Sequence, residues 1–146
     1  MLVYTADSRV LVMRRRSPPD YWQSVTGSLH WDERPAAAAA RELFEETGIM
    51  LNGEYRLVDH RTCNRFAILP EWKSRYAPDA EFNVEHVFSL CLPQVIAVKL
   101  NPAEHEDCLW LPRRQAADKV SSYTNKQGIL DFVPPKKDME SVNADD

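Results

Sequence analysis

Three glutamates, Glu42, Glu45 and Glu46, lie within five consecutive residues and are the first candidates for chemistry. In an α-helix this spacing places all three carboxylates on one face, within about one turn of each other. Like charges at this distance repel, and Arg41 can balance only part of them. A divalent cation would neutralise the cluster, because Mg²⁺ binds through carboxylate oxygens and substrate phosphates. A solvated acidic face is the alternative, and the three glutamates alone leave both interpretations open.

The residues around these glutamates form a longer pattern. Starting at Gly27, five residues precede Glu33, seven more precede Arg41-Glu42-Leu43, one separates that tripeptide from Glu45-Glu46, and one more precedes Gly48-Ile49. Seven positions of the pattern require one particular residue, so chance agreement in a single window is on the order of 10⁻⁸. The complete pattern therefore favours a functional site over a solvated face.

This pattern resembles the signature sequence of the Nudix hydrolases. The resemblance implies an α/β (α+β) fold, an α/β/α sandwich with a mixed central sheet. It also implies Mg²⁺ as cofactor, for which Mn²⁺ can substitute, with Glu42, Glu45 and Glu46 as ligands and the carbonyl of Gly27 as a further oxygen. Arg41 and Glu33 would hold the loop and the helix in place, so that the ligands are oriented before the metal binds.

The same resemblance implies hydrolysis of a diphosphate linkage in a small-molecule triphosphate. A divalent cation neutralises the phosphate oxygens and polarises phosphorus, while a carboxylate orients or deprotonates the attacking water. Members of the family differ in which carboxylate is this base, and often use one outside the signature. Glu104, in Pro102-Ala103-Glu104-His105, is the candidate expected to contact the metal or the water, and Glu85 is a second one.

The composition from Pro35 to Thr47 predicts the helix that carries the glutamates, with Asp32 as its N-cap and Gly48 as its stop. Strands are predicted at Leu2–Tyr4, Val10–Met13, Trp22–Thr26, Tyr55–Ile68, Val84–Leu92 and Cys108–Leu111, with a turn at Ala6–Ser8 and a bend or interruption in the fourth strand. Short helices are predicted at Ala116–Val120 and Lys126–Phe132. One domain over 1–133 and a disordered polar tail over 134–146 are expected.

Segments outside the signature narrow the resemblance. They are Trp22–Ser28, Arg75–Pro78, Glu104-His105 and Ser122–Gln127. Together with Glu85 and Trp110 they are similar to the bacterial diphosphatases that act on dihydroneopterin triphosphate. The similarity extends over roughly residues 2–132. It implies hydrolysis of that triphosphate to dihydroneopterin monophosphate and pyrophosphate, a reaction of folate biosynthesis.

The narrower resemblance also implies the substrate contacts. Arg15 and Thr26 would approach the phosphates, Phe66, Ala67, Ile68 and Leu69 would flank the pterin, and Ser122 would supply a polar contact. Arg15 belongs to the run Arg14-Arg15-Arg16. An arginine suits a phosphate because its guanidinium group can donate two parallel hydrogen bonds to it, although a solvated strand end would also explain such a run. The similar enzymes have additional residues before the first strand, including a basic residue near the substrate. This sequence begins at Met1, a departure that bears on the substrate more than on the metal.

Two other functions compete with this one. A house-cleaning hydrolase for damaged or non-standard nucleoside triphosphates would use the same metal site and also release pyrophosphate. It would differ in the pocket beside the phosphates. A Nudix domain that only binds a nucleotide is disfavoured, because such domains commonly lose signature carboxylates and this chain has all of them.

Length, charge and cysteine content exclude other classes. The chain has 146 residues and a net charge of −4, which makes it a poor candidate for non-specific nucleic-acid binding. It has no apolar run of about 20 residues that could cross a membrane, and no signal peptide is recognisable. We expect a cytoplasmic monomer or weak homodimer. Cys63, Cys91 and Cys108 form no CxxC pair and are expected to be small core residues in a reducing environment.

Overall fold

The computed structural model describes residues 1–26, 32–67, 70 and 82–136, without the side chains of 65–67 and 82–84. In chain order the elements are β1 (Leu2–Thr5), β2 (Arg9–Arg15), β3 (Trp22–Gln23), α1 (Pro35–Thr47), β4 (Leu57–Ala67), β5 (Phe82–Leu92), β6 (His105–Pro112), α2 (Arg113–Lys119) and α3 (Tyr123–Phe132). These elements include all the predicted strands and helices, with bounds that differ by a few residues.

The strands form one mixed sheet with the order β3-β2-β1-β5-β4, and β6 pairs with β2. The β1 and β5 strands are parallel, whereas the other pairings are antiparallel. In β4 the pairing register shifts between Asp59 and Cys63, and Arg61 has a φ of 52°. The predicted interruption of this strand is therefore confirmed.

Alternation along the strands builds a separate core on each face of the sheet. In β2, Val10 and Val12 belong to the core beneath α2 and α3, whereas Leu11 and Met13 belong to the core beneath α1. Successive strand residues point to opposite faces, so a fully apolar run of this kind indicates a strand that is covered on both sides. The predicted α/β/α sandwich is confirmed.

The predicted N-cap of α1 is wrong, whereas its predicted end is confirmed. The N-cap of α1 is Arg34 rather than Asp32, and its side chain makes no capping hydrogen bond. Pro35 holds the preceding residue in the extended conformation, so the helix begins directly after Arg34. The predicted stop at Gly48 is confirmed by its φ of 77° and by its N–H, which donates to Phe44 O at 2.9 Å.

The prediction that all three cysteines are core residues is also wrong. Cys63 and Cys91 are exposed and Cys108 is half-buried, although all three are free thiols. Cys63 lies on β4, which is the last strand of the sheet order, and one edge of this strand has no neighbour among the described residues. The domain boundary at residue 133 stays a prediction, and residues 137–146 of the tail lie outside the described part. Across the described ranges, every helix is too short or too polar to cross a membrane.

Candidate functional site

Arg41 ties the loop before α1 to the helix itself. Its Nε donates to Glu33 Oε2 at 2.8 Å, and its Nη2 donates to Glu33 Oε1 at 2.9 Å. Its Nη1 donates to Glu42 Oε1 at 2.8 Å and to Glu45 Oε2 at 3.1 Å. The hydrogen bonds with Glu33 are the main reason why the pKa of Arg41 lies above its usual range. One guanidinium group therefore orients three carboxylates of the signature.

Glu46 is a buried carboxylate that lacks compensating hydrogen bonds. Its side chain is 1% exposed, and neither carboxylate oxygen has a hydrogen-bond partner among the described residues. Burial, together with repulsion from Glu42 and Glu104, raises the pKa of Glu46 to about 9. Burying an unpaired carboxylate is costly, so this position requires either a proton or a cation.

The start of β6 and the turn before it bring two more side chains that could bind a metal close to Glu46. One ligand atom from each of Glu46, Glu104 and His105 lies within 4.8 Å of the others. His105 is 1% exposed, and its Nε2 lies 3.5 Å from Glu46 Oε1 and 3.3 Å from Gln23 Nε2. Burial, with a smaller effect from Arg15, lowers the pKa of His105 to about 4, so the imidazole is neutral. Two carboxylates and a neutral imidazole form a donor set suited to a divalent cation.

A β-bulge explains how Glu104 and His105 reach the same place. The register between β2 and β6 shifts between Arg14 and Arg15, where Arg15 pairs with His105. Bulges redirect side chains at the ends of strands and are frequent beside functional sites. The sequence predicts Glu104, but not His105, as a residue of the site. The available signal was that His105 directly follows Glu104.

The three signature glutamates differ in their surroundings. The side chain of Glu42 is 14% exposed and that of Glu45 is 48% exposed, against 1% for Glu46. Glu42 adjoins Glu46, whose pKa it raises, whereas Glu45 lies at the solvent edge and outside the group formed with Glu104 and His105. Roles of Glu42 and Glu45 as metal ligands stay predictions. Gly27 lies outside the described residues.

Of the residues predicted to contact the substrate, one is buried, one caps a helix, and the segment 66–69 is described only in part or not at all. Arg15 is 7% exposed, and its Nε donates to Ser17 O at 2.9 Å. Ser122 is the N-cap of α3, where its hydroxyl accepts from the Asn125 N–H. Phe66 and Ala67 lie in β4 with undescribed side chains, and Ile68 and Leu69 lie outside the described residues.

Thr26 lines a cleft between the sheet and α3. The other polar residues of this cleft are Ser24, Asn64, Glu85, Thr124 and Asn125. Asn125 holds one wall, because its Oδ1 accepts from the Ser24 N–H at 2.9 Å and its Nδ2 donates to Ser24 Oγ at 2.9 Å. Burial lowers the pKa of the Met1 amino group, and both Glu85 and Glu46 raise it. Met1 also lines this cleft, so the cleft lies close to Glu46 and the carboxylate cluster.

Replacing Arg41 by lysine tests whether the guanidinium fork prepares the metal site. Lysine keeps the charge but cannot bridge Glu33, Glu42 and Glu45 at once. We expect Arg41→Lys to weaken the binding of a divalent cation by about 10- to 100-fold, as is typical when residues that orient ligands are lost. Calorimetric titration with Mg²⁺ measures this, with Arg9→Lys in the distant hairpin as the control. Equal affinity in both variants would contradict the orienting role.

Comparisons with known proteins agree with this geometry. The NUDIX domain model matches residues 1–131. The chain is 38% identical over 135 residues to the dihydroneopterin triphosphate diphosphatase of Escherichia coli, covering 91% of this chain and 89% of that protein. It is 33% identical over 135 residues to the enzyme of the same name from Haemophilus influenzae, covering 91% and 84%. The solved structure of the E. coli dihydroneopterin triphosphate pyrophosphohydrolase superposes with a TM-score of 0.84 at 38% identity, covering 90% of each chain.

Proposed function

Because the chain belongs to the Nudix domain family, we propose that it hydrolyses dihydroneopterin triphosphate to dihydroneopterin monophosphate and pyrophosphate. The assignment of this substrate depends on the 38% identity, over 91% of the chain, to a protein named dihydroneopterin triphosphate diphosphatase. The complete set of signature carboxylates supports an enzyme rather than a binding module. We expect a cytoplasmic monomer or weak homodimer whose partner is this small molecule rather than a nucleic acid or a membrane.

Mg²⁺ is the cation we assign to the site, with Mn²⁺ as a substitute. Glu46 and Glu104 would hold it together with Glu42, and the resemblance adds Glu45 and the Gly27 carbonyl. The orphaned oxygens of buried Glu46 support this assignment, since a cation would satisfy both their charge and their lone pairs. Bound Mg²⁺ supplies Lewis-acid chemistry, because it neutralises phosphate oxygens and polarises phosphorus.

The protein's own groups manage the water and the substrate. Water attacks a phosphorus atom of the α–β anhydride, this anhydride bond breaks to leave the monophosphate and pyrophosphate, and the water proton passes to a carboxylate. We assign the orientation or deprotonation of this water to Glu104, which is half-buried beside Glu46. Arg41 keeps Glu42 and Glu45 oriented through its hydrogen bonds.

We assign the substrate contacts as the resemblance implies them. Arg15 and Thr26 approach the phosphates, and the segment 66–69 flanks the pterin. Ser122 supplies a polar contact at the start of α3. The hydrogen bond from Arg15 Nε to Ser17 O supports a fixed guanidinium group at this position, and the place of Thr26 in the cleft supports its contact with substrate.

A pyrophosphate-release assay with Mg²⁺ tests the function. The panel contains dihydroneopterin triphosphate, the common nucleoside triphosphates and an oxidised purine nucleotide, with a chelator as the control for metal dependence. We expect the highest kcat/KM for the pterin and no turnover in the chelator. A higher kcat/KM for a purine nucleotide would replace this substrate by the house-cleaning alternative. Absence of turnover on the whole panel would contradict the proposed reaction.

A further inference from the structure

Two polar side chains line the cleft between the sheet and α3 without a hydrogen bond to the described residues, although Glu85 also acts electrostatically on the Met1 amino group at this cleft. Asn64 on β4 and Glu85 on β5 both line this cleft, and neither makes a side-chain hydrogen bond or ion pair with the described part of the chain. Their neighbours differ in this respect. Ser24 and Asn125 bond to each other, and Thr124 Oγ1 lies 2.8 Å from Ser122 Oγ.

The sheet holds Asn64 and Glu85 side by side. They are register partners in the antiparallel pairing of β4 with β5, so their Cβ atoms lie about 5 Å apart on one face of the sheet. Both are half-buried, and Val87, two residues after Glu85, lines the same cleft as an apolar neighbour. A carboxylate and a carboxamide therefore stand in fixed relation on a partly desolvated wall, where hydrogen bonds discriminate between ligands most strongly.

The hydrogen-bonding groups of Glu85 and Asn64 match a ligand edge that carries two donors followed by one acceptor. A carboxylate accepts two parallel N–H bonds, and an adjacent amide can donate one bond to a carbonyl oxygen. The 2-amino-4-oxopyrimidine edge of a pterin presents donor, donor and acceptor in that order, through its 2-amino group, N3–H and O4. Guanine presents the same edge. Adenine presents a ring nitrogen acceptor instead, which the carboxylate would repel.

We propose that Glu85 and Asn64 form a subsite that binds the 2-amino-4-oxopyrimidine edge of the substrate ring, with Glu85 accepting from the 2-amino group and N3–H and Asn64 donating to O4. For the pterin, the inference rests on the proposed function, whereas for the edge itself it rests on the two side chains. Asn64 lies two residues before Phe66, the first residue predicted to flank the pterin. The edge of the ring would meet this wall of the cleft while the phosphates extend toward Glu46.

The electrostatic surroundings are consistent with one continuous site. Burial raises the pKa of the Tyr21 phenol, while Arg15 lowers it and Glu85 raises it. The pKa of Tyr21 is therefore affected both by Arg15, which we assign to the phosphates, and by Glu85, which we assign to the ring.

Glu85→Gln is the direct test, because glutamine keeps the shape but turns one acceptor into a donor. We expect kcat/KM for dihydroneopterin triphosphate and for GTP to fall by about 10- to 100-fold, the usual loss for hydrogen bonds to a charged group. The kcat/KM for ATP should not fall. The second readout is metal-free binding of dihydroneopterin monophosphate, followed by pterin fluorescence, which should weaken by the same factor. Asn64→Ala should act in the same direction, and Glu54→Gln on an exposed loop is the matched control.

The outcomes separate this inference from the proposed function. If wild-type protein turns over dihydroneopterin triphosphate and Glu85→Gln leaves both kcat/KM and product binding unchanged, the subsite is overturned and the function stands. If GTP is preferred and Glu85→Gln lowers its kcat/KM, the function fails and the subsite stands. Equal losses for ATP and the pterin would also overturn the subsite, because they would indicate general damage rather than recognition of one edge.

Discussion

Glu46→Gln is expected to lower the rate of Mg²⁺-dependent pyrophosphate release by at least about 10³-fold, since a catalytic cation contributes several kcal/mol to the transition state. Glu46 is the most buried of the three signature glutamates, and it lies in one group with Glu104 and His105. Glutamine has the same shape but carries no charge to hold a cation. The double change Glu45→Gln with Glu46→Gln should lose at least as much.

Stability measurements distinguish this loss from unfolding. In a chelator, we expect the free energy of unfolding of Glu46→Gln to equal or exceed that of wild-type protein. An amide avoids the cost of burying a carboxylate whose oxygens have no hydrogen-bond partner. Mg²⁺ should raise the melting temperature of wild-type protein and of the control Glu54→Gln but not of Glu46→Gln, because only ligand-competent protein gains binding energy. Unchanged turnover in Glu46→Gln would refute the metal site.

The local elements of the fold could be predicted because their causes are local. Pro35, the alanine run and Gly48 define α1 by backbone preference alone, and the alternation in β2 marks a strand that is covered on both faces. The N-cap of α1 could not be predicted from the preference of one residue. Asp32 has the better capping side chain, but the conformation imposed before Pro35 decided where the helix begins.

The candidate site could be predicted only in part, because helical spacing gives a face but not the burial of that face. Glu42, Glu45 and Glu46 do project to one side, yet their side chains are 14%, 48% and 1% exposed. The difference arises from how α1 packs on the sheet. His105 was missed for a similar reason, since its position depends on a bulge in the pairing of β6 with β2. Such a register shift depends on contacts between residues far apart in the sequence.

Leu43→Ala is expected to lower the free energy of unfolding by about 2–5 kcal/mol, and the melting temperature by roughly 10 °C for a domain of this size. Leu43 is 0% exposed and belongs to the core beneath α1, together with Leu11, Met13 and Leu90. Removing its side chain leaves a cavity that a packed sheet cannot close. Urea denaturation of the metal-free protein measures the change, and Phe44→Ala is the matched control. Phe44 is the next residue of the same helix and is 53% exposed, so its loss should cost less than about 1 kcal/mol.

Leu43→Ala should also weaken metal-dependent hydrolysis, because Leu43 and Glu46 are three residues apart and both are buried against the sheet. Leu43 packs into the core beneath α1, and this packing is expected to hold the turn of the helix that carries buried Glu46 against the sheet. We therefore expect Leu43→Ala to raise the Mg²⁺ concentration needed for half-maximal pyrophosphate release by about tenfold, as for other losses of ligand orientation. Phe44→Ala should leave it unchanged. If Leu43→Ala lost stability but bound Mg²⁺ as wild-type protein does, the metal ligands would be positioned by Arg41 and its carboxylate partners alone.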